Sequence, residues 1–312
     1  LMALITRKRQ AACKAETTAG TPETLAAGDA TINFYDPNIT FNIPLIESPQ
    51  QASSSQGPGV VGAMPGEFTG YTWLTGAGSA ADPAWATALL DACGMDGAAG
   101  VWTPVTGDTD TSTIQVNIDG QLRKIAGGAG NLVMSASIGE RIKMQWRFLG
   151  KRCTPTATAL LSPTLDTVIA PRFAATVATI GGTAYKLSGF EFDLGNTLTL
   201  IEDANDTGGT TSGTGYYLAM VTDRKPTLTL RIMAPGISTH DFHADFVAGT
   251  TAAISMVLGT ASNNKWTLAA PKAQLMEDPT YDDNGGYAVH PLKFLLQANT
   301  SAGDNEFSLT RG

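Results

Sequence analysis

The chain has 312 residues, enough for two domains, with 43% hydrophobic side chains to build a core and only 15% charged ones. Its formal net charge of −8 excludes a phosphate-neutralising nucleic-acid binder, which needs a basic footprint. Three scattered cysteines without a CxxC exclude a disulfide scaffold, and no apolar run is long enough to span a bilayer.

The texture is β: short apolar and Thr-rich runs bounded by Gly, Pro, Asn and Asp. The opening stretch, Leu1 to Arg9, places its charges after its apolar residues, the reverse of an export signal, so folding in a cytoplasm is expected. In Thr40-Phe-Asn-Ile43, Thr40 and Asn42 oppose Phe41 and Ile43; Glu47 ends the strand signal that follows. A long Ser/Gln/Gly loop covers residues 48–59. Asp82-Pro83 caps a short helix to Ala92, stopped by Gly94, with Trp85, Leu89 and Ala92 on one face. Thr113 to Ile118 and Ile142 to Phe148 alternate as strands, the latter with Lys143, Gln145 and Arg147 on its polar side. A Thr/Pro/Ala-rich linker follows, which divides the chain into modules 1–155 and 171–312 around residues 156–170. The second module offers strands at Phe190 to Leu194, Thr197 to Leu200 and Thr227 to Ile232, a second polar loop over residues 203–214, and a short helix from Thr239 to Ala248.

The two modules repeat. Leu45-Ile-Glu47 matches Leu200-Ile-Glu202, Gly59 to Met64 matches Gly215 to Met220, the helix at Trp85 matches that at Phe242, and Trp146-Arg-Phe148 matches Leu292-Lys-Phe294. Order is kept throughout: strand, long polar loop, strand, short helix, strands. A long loop at the same place in both copies favours function.

Candidates for chemistry are weak. His240, Asp241, His243 and Asp245 share a helix start but lack a distant third ligand, and His290, in a strand, has no reason to converge on them. Asp203 to Gly209 lacks the spacing and the Glu of a calcium loop. No nucleophile elbow, P-loop or dinucleotide pattern occurs, so no enzyme, metal or cofactor is expected. Trp73, Trp85, Trp102, Trp146 and Trp266 read as core.

The runs Gly189 to Asn196, Leu200 to Asn205 and Val221 to Thr227, with Lys14 to Pro22 near the start, resemble the tail tube (major tail) proteins of bacteriophages with long non-contractile tails. The resemblance covers most of the chain; Pro65-Gly-Glu67, where the second copy has Asp223-Arg-Lys225, departs from it. It implies two tandem β-sandwich or split-barrel modules, each with one short packed helix. It also implies homotrimeric rings that stack into a hollow virion tail tube, assembled in the host bacterial cytoplasm. Tape-measure protein and genomic DNA would occupy the lumen, tail terminator and distal tail proteins the ends, and no membrane would be involved. On that reading the inter-ring contacts are Ser48, Gln51, Ser54, Gln56, Val60, Met64, Asp203, Asp206, Thr210, Tyr216 and Tyr217, with an N-terminal arm over residues 1–20. The lumen-facing candidates are Thr40, Asn42, Glu47, Thr197, Thr199, Glu202, Thr229 and Arg231, on a wall expected to repel DNA by like charge. The alternative is a soluble two-domain β-sandwich binding module.

Overall fold

The computed structural model describes residues 4–50, 55–79, 81–107, 110–206 and 213–312. The first half contributes β1 (Arg9–Ala15), β2 (Tyr35–Phe41), β3 (Leu45–Pro49), β4 (Gln56–Val61), β5 (Pro65–Trp73), β6 (Met95–Ala98), β7 (Val101–Pro104), β8 (Ser112–Ile118), β9 (Gln121–Ser137), β10 (Lys143–Arg152) and β11 (Thr156–Ala157). The second contributes β12 (Ala178–Ile180), β13 (Thr183–Ala184), β14 (Leu187–Asp193), β15 (Asn196–Glu202), β16 (Tyr216–Arg224), β17 (Thr227–Met233), β18 (Thr251–Leu258), β19 (Trp266–Leu275), β20 (Asp282–Asp283), β21 (Ala288–Leu296) and β22 (Ser308–Arg311). Helix α1 (Phe242–Ala248) lies between β17 and β18. The fold is mainly β, a sandwich of antiparallel sheets, as alternating strands with one wet face require.

Strand pairing follows one order in both halves. In the first it runs β1–β8–β9–β10–β5–β2. In the second it runs β12–β18–β19–β21–β17–β14. Between the last two strands of each order a hairpin, β3–β4 or β15–β16, stands out as its own two-stranded sheet. A register shift between Ser112 and Ile114 recurs between Ala252 and Ile254. Residues 156–170 run along the first half: Leu161 N–H donates to Gln10 Oε1 at 2.8 Å and Asp166 N–H to Thr31 O at 3.1 Å.

The halves meet edge to edge. The C-terminal part of β9, Val133 to Ser137, pairs with Asp193 to Gly189 of β14. The result is one continuous sheet, β2–β5–β10–β9–β14–β17–β21–β19. Strand β22 makes a second bridge by pairing with both β19 and β7. One hydrophobic core serves both halves. Trp266 of the second lies 5.1 Å from Trp85 and 5.5 Å from Trp102 of the first, centroid to centroid. Trp85 and Trp266 both donate their indole N–H to Thr75 O at 3.2 Å. Four of the five tryptophans are buried; Trp73 is half-buried on the opposite face of β5.

Local details differ from expectation. Arg9 to Ala15 is a strand paired with β8, with Ala11, Ala12 and Cys13 buried, so the middle of the expected N-terminal arm is built into the fold. The helix after Pro83 forms a π turn over Ala86–Leu90 and a 3-10 turn over Asp91–Cys93, closed by Gly94 at φ 71. In α1 the cap is Asp241, not Thr239: its carboxylate accepts from Ala244 N–H at 3.0 Å, because Thr239 is held in the preceding turn to Gly236 O. The histidines do converge, since β21 passes under α1: the rings of His243 and His290 are 6.1 Å apart and those of Phe242 and His290 6.3 Å.

Candidate functional site

A sheet that packs one face on a core turns alternate residues to the other face. Phe68, Met134, Trp146, Phe192, Leu230 and Phe294 go inward. Their sequence neighbours form a second, open face that runs unbroken across both halves. Register places Trp73, Lys143, Ser135, Glu191, Thr229 and Lys293 in one row across six strands. The next row is Tyr71, Gln145, Val133, Asp193, Thr227 and Leu295. Concavities lie along this face, one lined by Ser135, Lys143, Glu191, Thr229 and Arg231, another by Thr69, Tyr71, Asn131, Gln145 and Arg147.

The electrostatics of the face are mixed. Arg147 Nε is 2.6 Å from Glu67 Oε1, and Arg231 Nη2 is 3.1 Å from Asp282 Oδ2. Lys143 Nζ sits 4.3 Å from the centroid of Tyr71, which stacks on Tyr35 at 5.2 Å. Asn131 Nδ2 donates to Asp193 Oδ1 at 2.9 Å across the seam between halves. Of the cations here, Arg147 and Arg231 are matched by carboxylates and Lys143 by an aromatic ring.

The expected wall residues divide into two groups. Thr40, Thr229 and Arg231 lie on the open face. Glu47 lies in β3, Thr197, Thr199 and Glu202 lie in β15, and all four are exposed on the separate hairpins; Asn42 follows β2. The open face also carries Lys143, Gln145 and Arg147. Their signal was the alternation from Ile142 to Phe148, which marked the strand but not its role.

The expected contact loops are the two hairpins. Ser48, Gln56 and Val60 are exposed on β3–β4, while Gln51, Ser54 and Thr210 lie outside the described residues. Asp203 accepts from Asn205 N–H at 2.8 Å. The stem of the second hairpin packs on its own first half. Asp206 Oδ1 is 2.9 Å from Lys151 Nζ, a lysine only 3% exposed, whose ammonium lies 6.0 Å from the Tyr217 ring. Met64 N–H donates to Thr214 O at 2.8 Å. Tyr216 and Tyr217 belong to β16, where Leu218 and Ala219 are buried.

Each histidine has a polar partner. His240 Nε2 is 2.7 Å from Asp245, His243 Nδ1 2.8 Å from Asp278, and His290 Nδ1 2.8 Å from Thr280 O. Among the described residues no group of His, Cys, Asp and Glu is placed to hold a metal ion, and no helix is long and apolar enough to cross a membrane. All three cysteines are free and buried; burial pushes the Cys153 thiol up to about 11 and raises those of Cys13 and Cys93 as well, the reverse of a reactive thiol.

A family model described as phage tail tube protein matches residues 6–288. No curated protein matches the chain.

Proposed function

Since the chain belongs to the phage tail tube protein family and is therefore a structural protein of the virion's tail, we propose that three copies close into a ring and that stacked rings form the tail's conduit. The observation that carries this reading is the β9–β14 seam. It joins two sheets of identical pairing order edge to edge within one chain. The chain then consists of two copies of one module, over residues 1–155 and 171–312 with a connection over 156–170. A seam that works once between modules can work again between chains. Three chains supply six modules, and rotational closure ends growth in the plane of the ring. Strand β2, at one end of the continuous sheet, pairs among the described residues with no strand but β5; the Arg9 and Arg123 side chains, which donate to its Pro37 and Ile39 carbonyls at 3.2 and 3.1 Å, would have to share or yield this edge to such a joint.

Closing the sheet in this way turns its open face into a lumen lined by every second residue. Thr40, Thr229 and Arg231 would line it with Lys143, Gln145, Arg147 and Glu191. Hydroxyls, two arginines matched by carboxylates and acids such as Glu191 interrupt any basic stripe, so DNA and tape-measure protein pass without sticking. Ser48, Gln56 and Asp203, at the far ends of the hairpin strands, would contact the next ring. Terminator and distal tail proteins would close the ends, and assembly would take place in the host cytoplasm.

The test is microscopy with mass measurement of purified protein at rising concentration. Threefold rings with three times the 32.5 kDa chain mass, then tubes, are expected. Monomers at every concentration, or a ring of six chains, would overturn the proposal.

A further inference from the structure

Hairpin β15–β16 lies across the first half, and its contacts are specific. Asn196 Nδ2 donates to Cys93 O at 2.7 Å and to Gly130 O at 2.8 Å, fixing the hairpin to the end of the first-half helix and to β9. Arg224 Nη1 donates to Val105 O at 3.2 Å, and the Val221 side chain lies over Gly94, the residue that closes that helix. Farther along, β9 is Gly127-Gly-Ala-Gly130; a Cβ at Gly127 would stand 2.9 Å from Leu218 Cα. A strand interior without side chains is where another backbone can approach closely.

The second half has the equivalent surface, with Lys272, Ala273, Gln274 and Leu275 in β19 where β9 has Gly127 to Gly130, so a hairpin there must rest on side chains rather than on bare backbone. Gly249 closes α1 at φ 64 as Gly94 closes the first helix, and among the described residues a Cβ at Gly249 would meet Gln274 of its own half and nothing from the first. Val247, beside it, is 84% exposed, whereas Leu89, Leu90, Ala92 and Cys93 of the covered helix are all buried. The first half in turn has the same hairpin with nowhere to lie. On β3–β4, the cross-strand pairs Leu45–Val61 and Ile46–Val60, on opposite faces of the hairpin, are 63, 54, 58 and 62% exposed, so both faces are apolar and uncovered. Its one charged residue is Glu47, and β19 presents Lys272 where the shared register puts Gly127 in β9.

We propose that the β3–β4 hairpin of one protomer docks on the second half of the next protomer in the same ring, across β19 and the C-terminal end of α1. The occupant is a second copy of this chain, and the template is the chain's own β15–β16 contact. This inference rests on the ring reading and specifies what seals each joint between chains. The stem of the hairpin acts within a ring and only its far end, at Ser48 and Gln56, is left to contact the ring above.

The test pairs two variants with one common readout. Val61→Cys and Val247→Cys in one chain, treated with a short bismaleimide after assembly, should give covalent dimers and trimers on a denaturing gel. Ring formation is scored in parallel by microscopy. Rings present without that cross-link would overturn the docking while leaving the ring intact; absence of rings in the unmodified protein would overturn the ring reading itself. Separately, Val61→Asp alters an exposed position and should leave the monomer's circular dichroism and melting unchanged. It should raise the protein concentration needed for rings at least tenfold. Unchanged ring formation by Val61→Asp would also overturn the inference.

Discussion

At the scale of single residues, the contact between halves depends on two kinds of close fit. Lys151 is a buried cation neutralised by Asp206, whose second oxygen accepts from Thr214 Oγ1 at 2.8 Å. Removing one partner of a buried pair strands the other, at a cost of about 3–5 kcal/mol, whereas replacing both by apolar groups is often near neutral. Asp206→Ala is therefore expected to lose stability on that scale in urea unfolding, and Lys151→Met with Asp206→Leu to recover most of it. Equal stability of Asp206→Ala and wild type would show that the ammonium finds water. Gly127 is the second kind. At φ 61 it adopts a left-handed backbone, and an added methyl meets the Leu218 main chain at 2.9 Å. Gly127→Ala should cost about 1–3 kcal/mol from backbone strain alone, seen as a lower urea midpoint with unchanged slope.

At the scale of elements, the segment around β1 is tied down by charge. Asp119 accepts from Ile5 N–H at 3.0 Å and from Lys8 Nζ at 3.2 Å, and these bonds hold its carboxyl below the usual range. Asp119→Asn should speed tryptic cleavage at Arg7 to Arg9 at neutral pH without changing the melt of the core. After β1, Glu23 accepts from Lys14 Nζ at 2.9 Å and from Thr17 N–H at 3.0 Å, which lowers its carboxyl from 4.5 to about 2. A depressed acid contributes stability above its unfolded value and loses it as pH falls through its folded one. Melting temperature should thus decline between about pH 4.5 and 2, and Glu23→Gln should flatten that limb. A decline of the same size in the variant would assign the acid limb to other carboxylates. Elements with strong side-chain signals were legible: Ile142 to Phe148 alternates and became β10. Others were not. Ala11-Ala-Cys13 is too small to announce a strand, and β9 contains the glycines that usually mark a turn, because a hairpin from elsewhere in the chain lies on it.

At the scale of the whole molecule, the matched runs pointed to two halves of like order, but they carried no sign of how the halves join. Sheet edges are made of backbone, so Val133 to Ser137 carries no mark of its pairing with β14, and β22 gives no sign that it will also bridge to β7. The open face was half-legible for the same reason: alternation identifies a polar side, while only register across six strands shows that Lys143 and Glu191 share a row. That joining has a measurable consequence. Trp266 packs on Trp85 and Trp102 with centroids 5.1 and 5.5 Å away, and two indoles share the Thr75 carbonyl. A core built from both halves cannot dissolve in one and persist in the other. Unfolding should be a single cooperative transition, coincident by tryptophan fluorescence and by far-ultraviolet circular dichroism. Trp266→Ala, which removes a side chain buried between the halves, should cost about 3–5 kcal/mol and lower that one transition as a whole. Two separated transitions in the wild type, or loss of only the second half's signal in Trp266→Ala, would mean that the modules are stable independently and that the seam is a weak contact between finished domains.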